Sequence, residues 1–166
     1  RVEAGRFGQR DARLSATQGW DQLALDAAVA HQGSDGYRAN SAFRQNSFSG
    51  GAQWTWDGGR FGLRLERASQ DARFPGSLSL AEFDTDPRRT KTPQDFGSLD
   101  TRRVIASAEQ RIGATELAAE LSHREKDVKA NYVFSSGGMD FASKLAYDSR
   151  QTQFSPRLRR LVNFDG

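Results

Sequence analysis

The stretch GGRFGLRLE, Gly58 to Glu66, decides the fold that we predict for this chain. After two glycines, the apolar residues Phe61, Leu63 and Leu65 are separated by single small or charged residues. Because successive side chains of a strand point to opposite sides, this pattern predicts a β-strand with one apolar and one polar face. A soluble sheet would turn the apolar face to a protein core, and a membrane barrel would turn it to lipid.

The same alternation recurs along most of the chain. It is found in Gln22–Ala30, Asn46–Gly59, Arg102–Arg111, Glu116–Arg124 and Phe154–Phe164. The overlapping segment Thr115–Ala130 also has strong helix propensity, with Leu117 and Leu121 four residues apart. We predict a strand there, because its neighbours are strands and its alternation fits one as well.

Short and long connectors alternate between these segments. The short ones are Gly19–Gln22, Trp56–Arg60 and Ile112–Thr115, and the long ones are Gln32–Gln45, Ser69–Thr101 and Val128–Lys144. Asp-Gly and Gly-Gly pairs are typical of tight hairpins, since glycine reaches positive φ without steric cost. Tight turns at one end and long loops at the other are typical of outer-membrane barrels.

The composition supplies little material for a packed core. Only 36% of the 166 residues are hydrophobic, and the mean hydropathy is −0.73. No run of apolar residues is long enough for a transmembrane helix, and no signal-peptide pattern occurs at the start. The pI is near 9.6, but acidic residues are interleaved with the basic ones, so we expect no nucleic-acid binding.

The longest connector carries signals for local structure. Ser79 and Glu82 form a capping-box pattern, and Thr92–Phe96 has Thr before Pro with Asp in the first turn. We therefore predict one or two short helices within residues 69–101. Four aromatic residues beside the short turns fit an interfacial girdle, although they could also pack on a core. These are Trp20, Trp54, Trp56 and Phe61.

No set of residues predicts catalysis, and we expect no enzyme activity, cofactor or metal site. His31 and His123 have no second ligand at metal-binding spacing, so solvated or hydrogen-bonded histidines are expected. Asp84–Asp86 lacks the rest of a calcium loop. Among the basic residues Arg157–Arg160, Arg157 and Arg159 are expected on the polar face and Arg160 on the other. The residues that contact a ligand are not identified.

Four segments resemble the β-barrel part of TonB-dependent outer-membrane receptors. They are Arg1–Trp20, Asp35–Trp54, Phe74–Phe96 and Tyr147–Leu158. The third is the most specific, because it carries PGSL, DPR and P.DF in the order found in an extracellular loop of many members. The resemblance extends over essentially all of residues 1–166.

The resemblance implies a family barrel of twenty-two strands with an N-terminal plug. Such receptors import scarce ligands, such as ferric siderophores or cobalamin, using energy from the TonB complex. The resemblance therefore implies that residues 1–166 are one partial barrel domain of about eight antiparallel up-and-down strands, located in the outer membrane. Its partners would be membrane lipid, the TonB complex through a plug that this sequence lacks, and a small-molecule ligand at the extracellular loops. NFDG at Asn163–Gly166 is expected to form another tight turn.

Two other interpretations of the pattern remain open. The chain could be a complete eight-stranded outer-membrane barrel that serves as an anchor or adhesin, since eight strands can close a small barrel. It could instead be a soluble β-sandwich or a lipocalin-like binding module. The latter needs one sheet face packed on a core, which the Ala-rich segments supply poorly.

Overall fold

A single antiparallel β-sheet forms almost the whole protein. The structure is a computed structural model, and it describes residues 1–136 and 139–160. Eight strands follow one another in space in the order of the sequence, as predicted for an up-and-down arrangement. They are β1 (Val2–Ala4), β2 (Arg10–Gly19), β3 (Leu23–Ser34), β4 (Phe43–Trp56), β5 (Gly59–Arg73), β6 (Phe96–Ile112), β7 (Thr115–Ser136) and β8 (Met139–Arg160). The sheet is open, because β1 and β8 do not pair within the described residues.

The strands pair in one continuous register. Between β4 and β5, for example, Phe43 lies opposite Ala72 and Trp56 lies opposite Gly59, with every intervening residue paired. No pair of strands contains a bulge within the described residues. Because each register is unbroken, the side chains of alternate residues stay on one face of the sheet from one strand to the next.

Tight turns connect the strands at one end of the sheet, as predicted. Asp57 and Gly58 join β4 to β5, and Gly113 and Ala114 join β6 to β7. Gly58 has φ of 74° and Gly113 has φ of 59°, conformations that glycine adopts without a Cβ clash. Residues 20–22 connect β2 to β3.

The long connectors are shorter than the sequence suggests. Loop A spans residues 35–42 between β3 and β4, and loop B spans residues 74–95 between β5 and β6. The predicted connector Val128–Lys144 is wrong, because β7 and β8 continue through most of it. Phe134 and Phe141 face each other there with ring centroids 5.5 Å apart, so aromatic contacts stabilise pairing where the glycines suggested a loop.

Loop B contains one helix, α1 (Leu80–Thr85). Its capping box is present as predicted, since the Ser79 side chain accepts from the Glu82 amide and the Glu82 side chain accepts from the Ser79 amide. The second helical signal produces only a turn, in which the Asp95 amide donates to the Thr92 carbonyl at 3.1 Å. No helix in the described residues is long and apolar enough to cross a membrane.

The strand predicted for Thr115–Ala130 is confirmed as part of β7. Its helix-forming residues are held in extended form by pairing with β6 on one side and β8 on the other. Tertiary pairing therefore overrides local propensity there. Residues 161–164 of the last alternating segment and the turn predicted at Asn163–Gly166 lie outside the described residues.

No hydrophobic side chain is buried in the described residues, so the sheet has no core. Most large apolar side chains of the turn-proximal half, Ile105 excepted, share one face, the band face, and form an apolar band. It comprises Leu14, Leu23, Leu25, Val29, Phe48, Trp54, Trp56, Phe61, Leu63, Leu65, Val104, Leu117, Leu121, Phe154 and Leu158, each more than a third exposed. The opposite side of the sheet is the polar face. The Phe61, Leu63 and Leu65 side chains therefore have no second protein layer against them.

Candidate functional site

Loops A and B form an ordered unit at the loop end of the sheet. Arg38 of loop A donates from its guanidinium to the carbonyl oxygens of Gly76 at 2.7 Å, Arg89 at 3.0 Å and Pro75 at 3.2 Å. The guanidinium carries five N–H donors in a fixed planar fork, so it can hold several carbonyls at once. One side chain thus fastens both halves of loop B to loop A.

Asn40 adds a second point of attachment between the loops. Its side-chain nitrogen lies 2.6 Å from the Thr92 carbonyl oxygen, 2.9 Å from that of Phe74 and 3.0 Å from that of Asp95. The residue has φ of 55°, a conformation that asparagine tolerates better than most residues. Because Phe74 and Asp95 are the two ends of loop B, Asn40 closes the base of this loop.

Asp95 and Thr92 are the buried residues of the described chain. Asp95 is 3% exposed, and its Oδ2 accepts from the Val133 amide at 3.0 Å. Pairing of β6 with β7 ends at Phe96 and Asn131, so the Val133 amide lies just beyond the end of that ladder. The Asp95 carboxylate therefore takes the place of the missing strand partner. Its Oδ1 has no partner within the described residues.

The motif segments of loop B make these same contacts. The PGSL segment supplies the Gly76 carbonyl that Arg38 contacts, and the P.DF segment supplies Asp95. In the DPR segment, the Arg88 carbonyl accepts from the Ala39 amide at 2.7 Å, and Arg88 Nε donates to the Tyr37 carbonyl at 3.1 Å. These segments therefore hold the two loops together, which is a structural use of the motif.

A cavity of about 870 Å³ lies between loop B and the loop-end parts of β7 and β8. Its basic lining residues are Arg73, Lys91, Lys129 and Lys144. Lys91 pairs with Glu82 at 3.1 Å, whereas Lys129 and Lys144 form no ion pair with any described residue. Lys129 and Lys144 give this cavity positive charge, and the Asp95 carboxylate also lines it, so the lining carries both signs of charge.

Aromatic and aliphatic side chains collect on the polar face at the loop end of β7 and β8. We define this aromatic cluster as Tyr132, Phe134, Phe141, Leu145 and Tyr147, which are 42–49% exposed. The ring centroids of Tyr132 and Phe134 are 6.4 Å apart. Polar side chains such as Lys129 and Lys144 occupy the band face at this level. The apolar side of the sheet therefore changes from one face to the other above the apolar band.

Ion pairs cross the polar face at the level of the band. Arg60 Nη2 lies 2.7 Å from Glu109 Oε2, Arg64 Nη2 lies 3.2 Å from Asp26 Oδ1, and Arg157 Nη2 lies 3.5 Å from Glu109 Oε1. These side chains are partly exposed, so each pair contributes little to stability on its own. Together they give this side of the sheet a hydrophilic surface with both signs of charge.

A cavity of about 660 Å³ opens on the polar face further toward the loops. Hydroxyl and guanidinium groups line it, including Ser47, Ser49, Thr101, Arg103 and Arg124. Such a lining can bind anions or polyhydroxylated molecules through hydrogen bonds.

The residues singled out in the sequence have structural partners. His31 Nδ1 lies 2.7 Å from Asn46 Oδ1 and His123 Nδ1 lies 2.8 Å from Thr152 Oγ1, so both histidines are hydrogen-bonded, as predicted. Asp86 accepts from the Arg88 amide at 3.0 Å. No group of residues within 1–136 and 139–160 is arranged to hold a metal ion.

Comparison with known proteins adds no family assignment, since no family model and no curated protein matches this chain. The two sets of side chains that sequence reasoning missed are the basic cavity and the aromatic cluster. The cavity residues are separated by up to about seventy positions, so no local pattern unites them. The aromatic cluster does carry a signal, because Tyr132 and Phe134 alternate as in a strand within the segment predicted as a loop, but on the face opposite to Leu117 and Leu121.

We predict that Arg38→Ala releases loop B from loop A without disturbing the sheet. Hydrogen bonds from a charged donor contribute about 1.5–3 kcal/mol each, so amide exchange in loop B should accelerate by roughly 30-fold or more. Hydrogen exchange measured by mass spectrometry provides the test. Arg89→Ala is the matched control, because the contacts of Arg89 in this region use its backbone carbonyl. Equal exchange rates in both variants would contradict the role of the Arg38 side chain in holding loop B to loop A.

We also predict that the cap of α1 is lost in acid. The Ser79 amide, the Lys91 ammonium and the Ser79 hydroxyl donate to Glu82 and lower its pKa from 4.5 to about 2. A carboxyl group with a lowered folded pKa stabilises the fold above its unfolded pKa and loses that contribution as the pH falls through the folded value. Amide exchange in α1 should therefore rise between about pH 4.5 and pH 2. In Glu82→Gln this pH dependence should be absent, and its persistence would contradict the assignment.

Proposed function

We propose that this chain is part of the wall of an outer-membrane transporter of the TonB-dependent receptor class. In this proposal the apolar band contacts lipid, the polar face lines a wet interior, and loops A and B lie outside the cell. The observation that best supports this proposal is the shape of the band. Its two edges run obliquely across the paired strands, and their slope matches the strand tilt of membrane barrels.

The loop-side edge of the band moves steadily across the register. Val29 and Phe48, the last band residues of β3 and β4, lie opposite each other, but Phe48 faces Arg67 of β5. Leu65 and Val104 end the band in β5 and β6, and Leu121 and Phe154 end it in β7 and β8. The edge therefore descends by two residues with every second strand.

The turn-side edge follows the same course. Trp54 pairs with Leu23, the first residue of β3, so β4 continues two residues further toward the turns. Gln110 pairs with Gly59 at the start of β5, so β6 likewise extends two residues further. A step of one residue per strand is ~3.3 Å along the strand for ~4.8 Å of sheet width, which corresponds to a tilt of roughly 35°. This tilt is within the range for membrane barrels, about 35–45°.

The height of the band also fits a bilayer. In β4, where the named band residues span the greatest length, the band extends from Phe48 to Trp56, about nine residues or ~30 Å of strand. Tilted by roughly 35°, this length spans about 25 Å, the height of the lipid-facing band in outer-membrane barrels. The indole N–H of Trp56 donates to Gln110 at 2.8 Å, while the ring stays exposed. A ring with a satisfied polar handle at the band edge supports the interfacial girdle.

Two alternatives receive less support. A complete eight-stranded barrel would close by pairing β1 with β8, and these two strands do not pair within the described residues. A β-sandwich or lipocalin-like module would bury apolar side chains, and none is buried among the described residues. The ligand class remains a proposal that rests on the resemblance, together with the aromatic cluster and the two polar cavities near the loops.

We predict that Leu63→Arg prevents insertion into lipid. An arginine on the lipid face near the bilayer centre costs about 2–4 kcal/mol in membrane barrels. The variant is made in the longer barrel that contains this chain, because the open edges of β1 and β8 need neighbouring strands in lipid. Refolding into phosphatidylcholine vesicles, followed by flotation and a urea titration, measures this loss. Ser107→Arg is the matched control. Ser107 follows Ala106, the residue opposite Leu63 in the register, and its side chain lies on the polar face. A wild-type chain that stays folded and monomeric in water without lipid would overturn the proposal.

We predict that ligand binding depends on the aromatic cluster. The longer barrel that contains this chain is titrated with ferric siderophores and with cobalamin, using quenching of intrinsic fluorescence. Phe134→Ala and Phe141→Ala each remove a ring that, in this proposal, contacts the ligand. An aromatic contact contributes about 0.5–1.5 kcal/mol, so affinity should fall by roughly 2- to 10-fold. Phe154→Ala on the band face is the control. Unchanged affinity in the two cluster variants would place the ligand elsewhere.

A further inference from the structure

We propose that Arg67 and Arg102 bind the phosphate group of an anionic lipid at the loop-side edge of the apolar band. This inference rests on the proposed membrane location and adds a specific lipid site to it. Its starting point is the position of the two side chains. Both are exposed on the band face. Each lies two residues along its strand from Leu65 or Val104, the last residues of the apolar band in β5 and β6.

The two arginines are direct cross-strand partners. Arg67 of β5 lies opposite Arg102 of β6 in the register. Directly opposed residues on one face of an antiparallel pair have Cβ atoms about 4.5–5.5 Å apart, and like charges in this arrangement destabilise the sheet. An anion bound between the two guanidinium groups removes the repulsion. Guanidinium groups bind phosphate oxygens in bidentate fashion, which favours phosphate as that anion.

No acidic side chain of the described residues forms an ion pair with either arginine. Glu125 lies opposite Arg102, but its Oε1 is close to other groups, at 3.7 Å from His123 Nε2 and 3.8 Å from Arg150 Nε. Neither Arg67 nor Arg102 has a carboxylate oxygen of a described residue within 4.0 Å. The pair therefore remains open to an external anion.

Acidic residues do lie further from the band on the same face. Asp100, Asp127 and Asp148 occupy one row of the register across β6, β7 and β8. This row is two residues, or ~7 Å of strand, beyond the row of Arg102. The carboxylates thus lie on the solvent side of the arginines, and the arginines are the first charged groups above the band in β5 and β6.

The location selects a lipid among phosphate-bearing molecules. A lipid whose acyl chains lie on Leu65 and Val104 brings its phosphate to the level of the next residues, which are the two arginines. The basic cavity under loop B is a poorer candidate for this role. Its Lys129 is eight residues beyond Leu121, about 26 Å along β7, which is too far from the edge of the hydrocarbon.

The test compares two lipids that differ in headgroup charge. Because the open sheet alone would leave the edges of β1 and β8 unpaired in hydrocarbon, the longer barrel that contains this chain is refolded in dodecyl maltoside micelles. Short-chain phosphatidylglycerol or phosphatidylcholine is then titrated in while the urea midpoint is followed. Preferential binding to the folded state raises the midpoint. We expect phosphatidylglycerol to raise it more than phosphatidylcholine does, and Arg67→Gln/Arg102→Gln to weaken phosphatidylglycerol binding by about 30-fold. Added salt should reduce the preference in the wild type.

Two further variants separate a lipid site from general effects of charge. Arg13→Gln/Arg159→Gln removes two exposed arginines from the polar face and should keep the preference. Arg67→Lys/Arg102→Lys retains the charge and should keep most of it. In micelles without anionic lipid, Arg67→Gln/Arg102→Gln should be at least as stable as the wild type, because it removes a like-charge contact. A purely structural role would instead lower its stability.

The outcomes distinguish this site from the proposed function. A wild type that inserts into micelles but shows no preference for phosphatidylglycerol overturns the lipid site alone. The same holds if the Gln double variant keeps the full preference, or if inorganic phosphate binds as tightly as the lipid. A wild type that folds in water and takes up neither lipid overturns the membrane location, and the lipid site with it.

Discussion

The unbroken antiparallel hydrogen-bond ladder is the constraint on which the structure depends. Each register from β2 to β8 runs without a bulge, so a residue's place in the alternation fixes its face along the whole strand. The ladder also satisfies the backbone polar groups of every inner strand, which hydrocarbon could not do. Where β6 ends, the Asp95 carboxylate replaces the lost backbone partner of Val133. Backbone polar groups are therefore satisfied at the margin of the sheet as well.

The distribution of apolar side chains distinguishes two levels of the sheet. In the turn-proximal half, the apolar band occupies one face and ion pairs such as Arg60–Glu109 occupy the other. In the loop-end half of β7 and β8, the aromatic cluster lies on the polar face and lysines lie on the band face. A sheet packed on one protein core would keep a single apolar face throughout. Two environments at two heights, hydrocarbon below and water above, account for the change under the proposed location.

Much of the fold is predictable from local pattern, and the exceptions have clear physical causes. The tight turn at Asp57–Gly58 and the capping box at Ser79 depend on neighbouring residues alone, so their chemistry is visible in the sequence. Residues 128–144 were assigned wrongly, since glycine and serine suggest a loop while stacking of Phe134 on Phe141 favours continued strands. The helix signal at Thr92–Phe96 yields only a turn, because Thr92 and Asp95 contact Asn40 instead of extending a helix.

The sequence by itself determined most of the strands, their two faces, the short turns and the first two long connectors, because side-chain alternation and turn chemistry are local properties. Only the tertiary structure decided which distant residues meet. Arg38 contacts loop B about forty to fifty residues away, and Arg67 lies opposite Arg102, because the register sets these neighbours. The oblique edge of the apolar band is likewise absent from any single strand. It appears only when the strands are aligned, since the offset between neighbours is a property of their pairing.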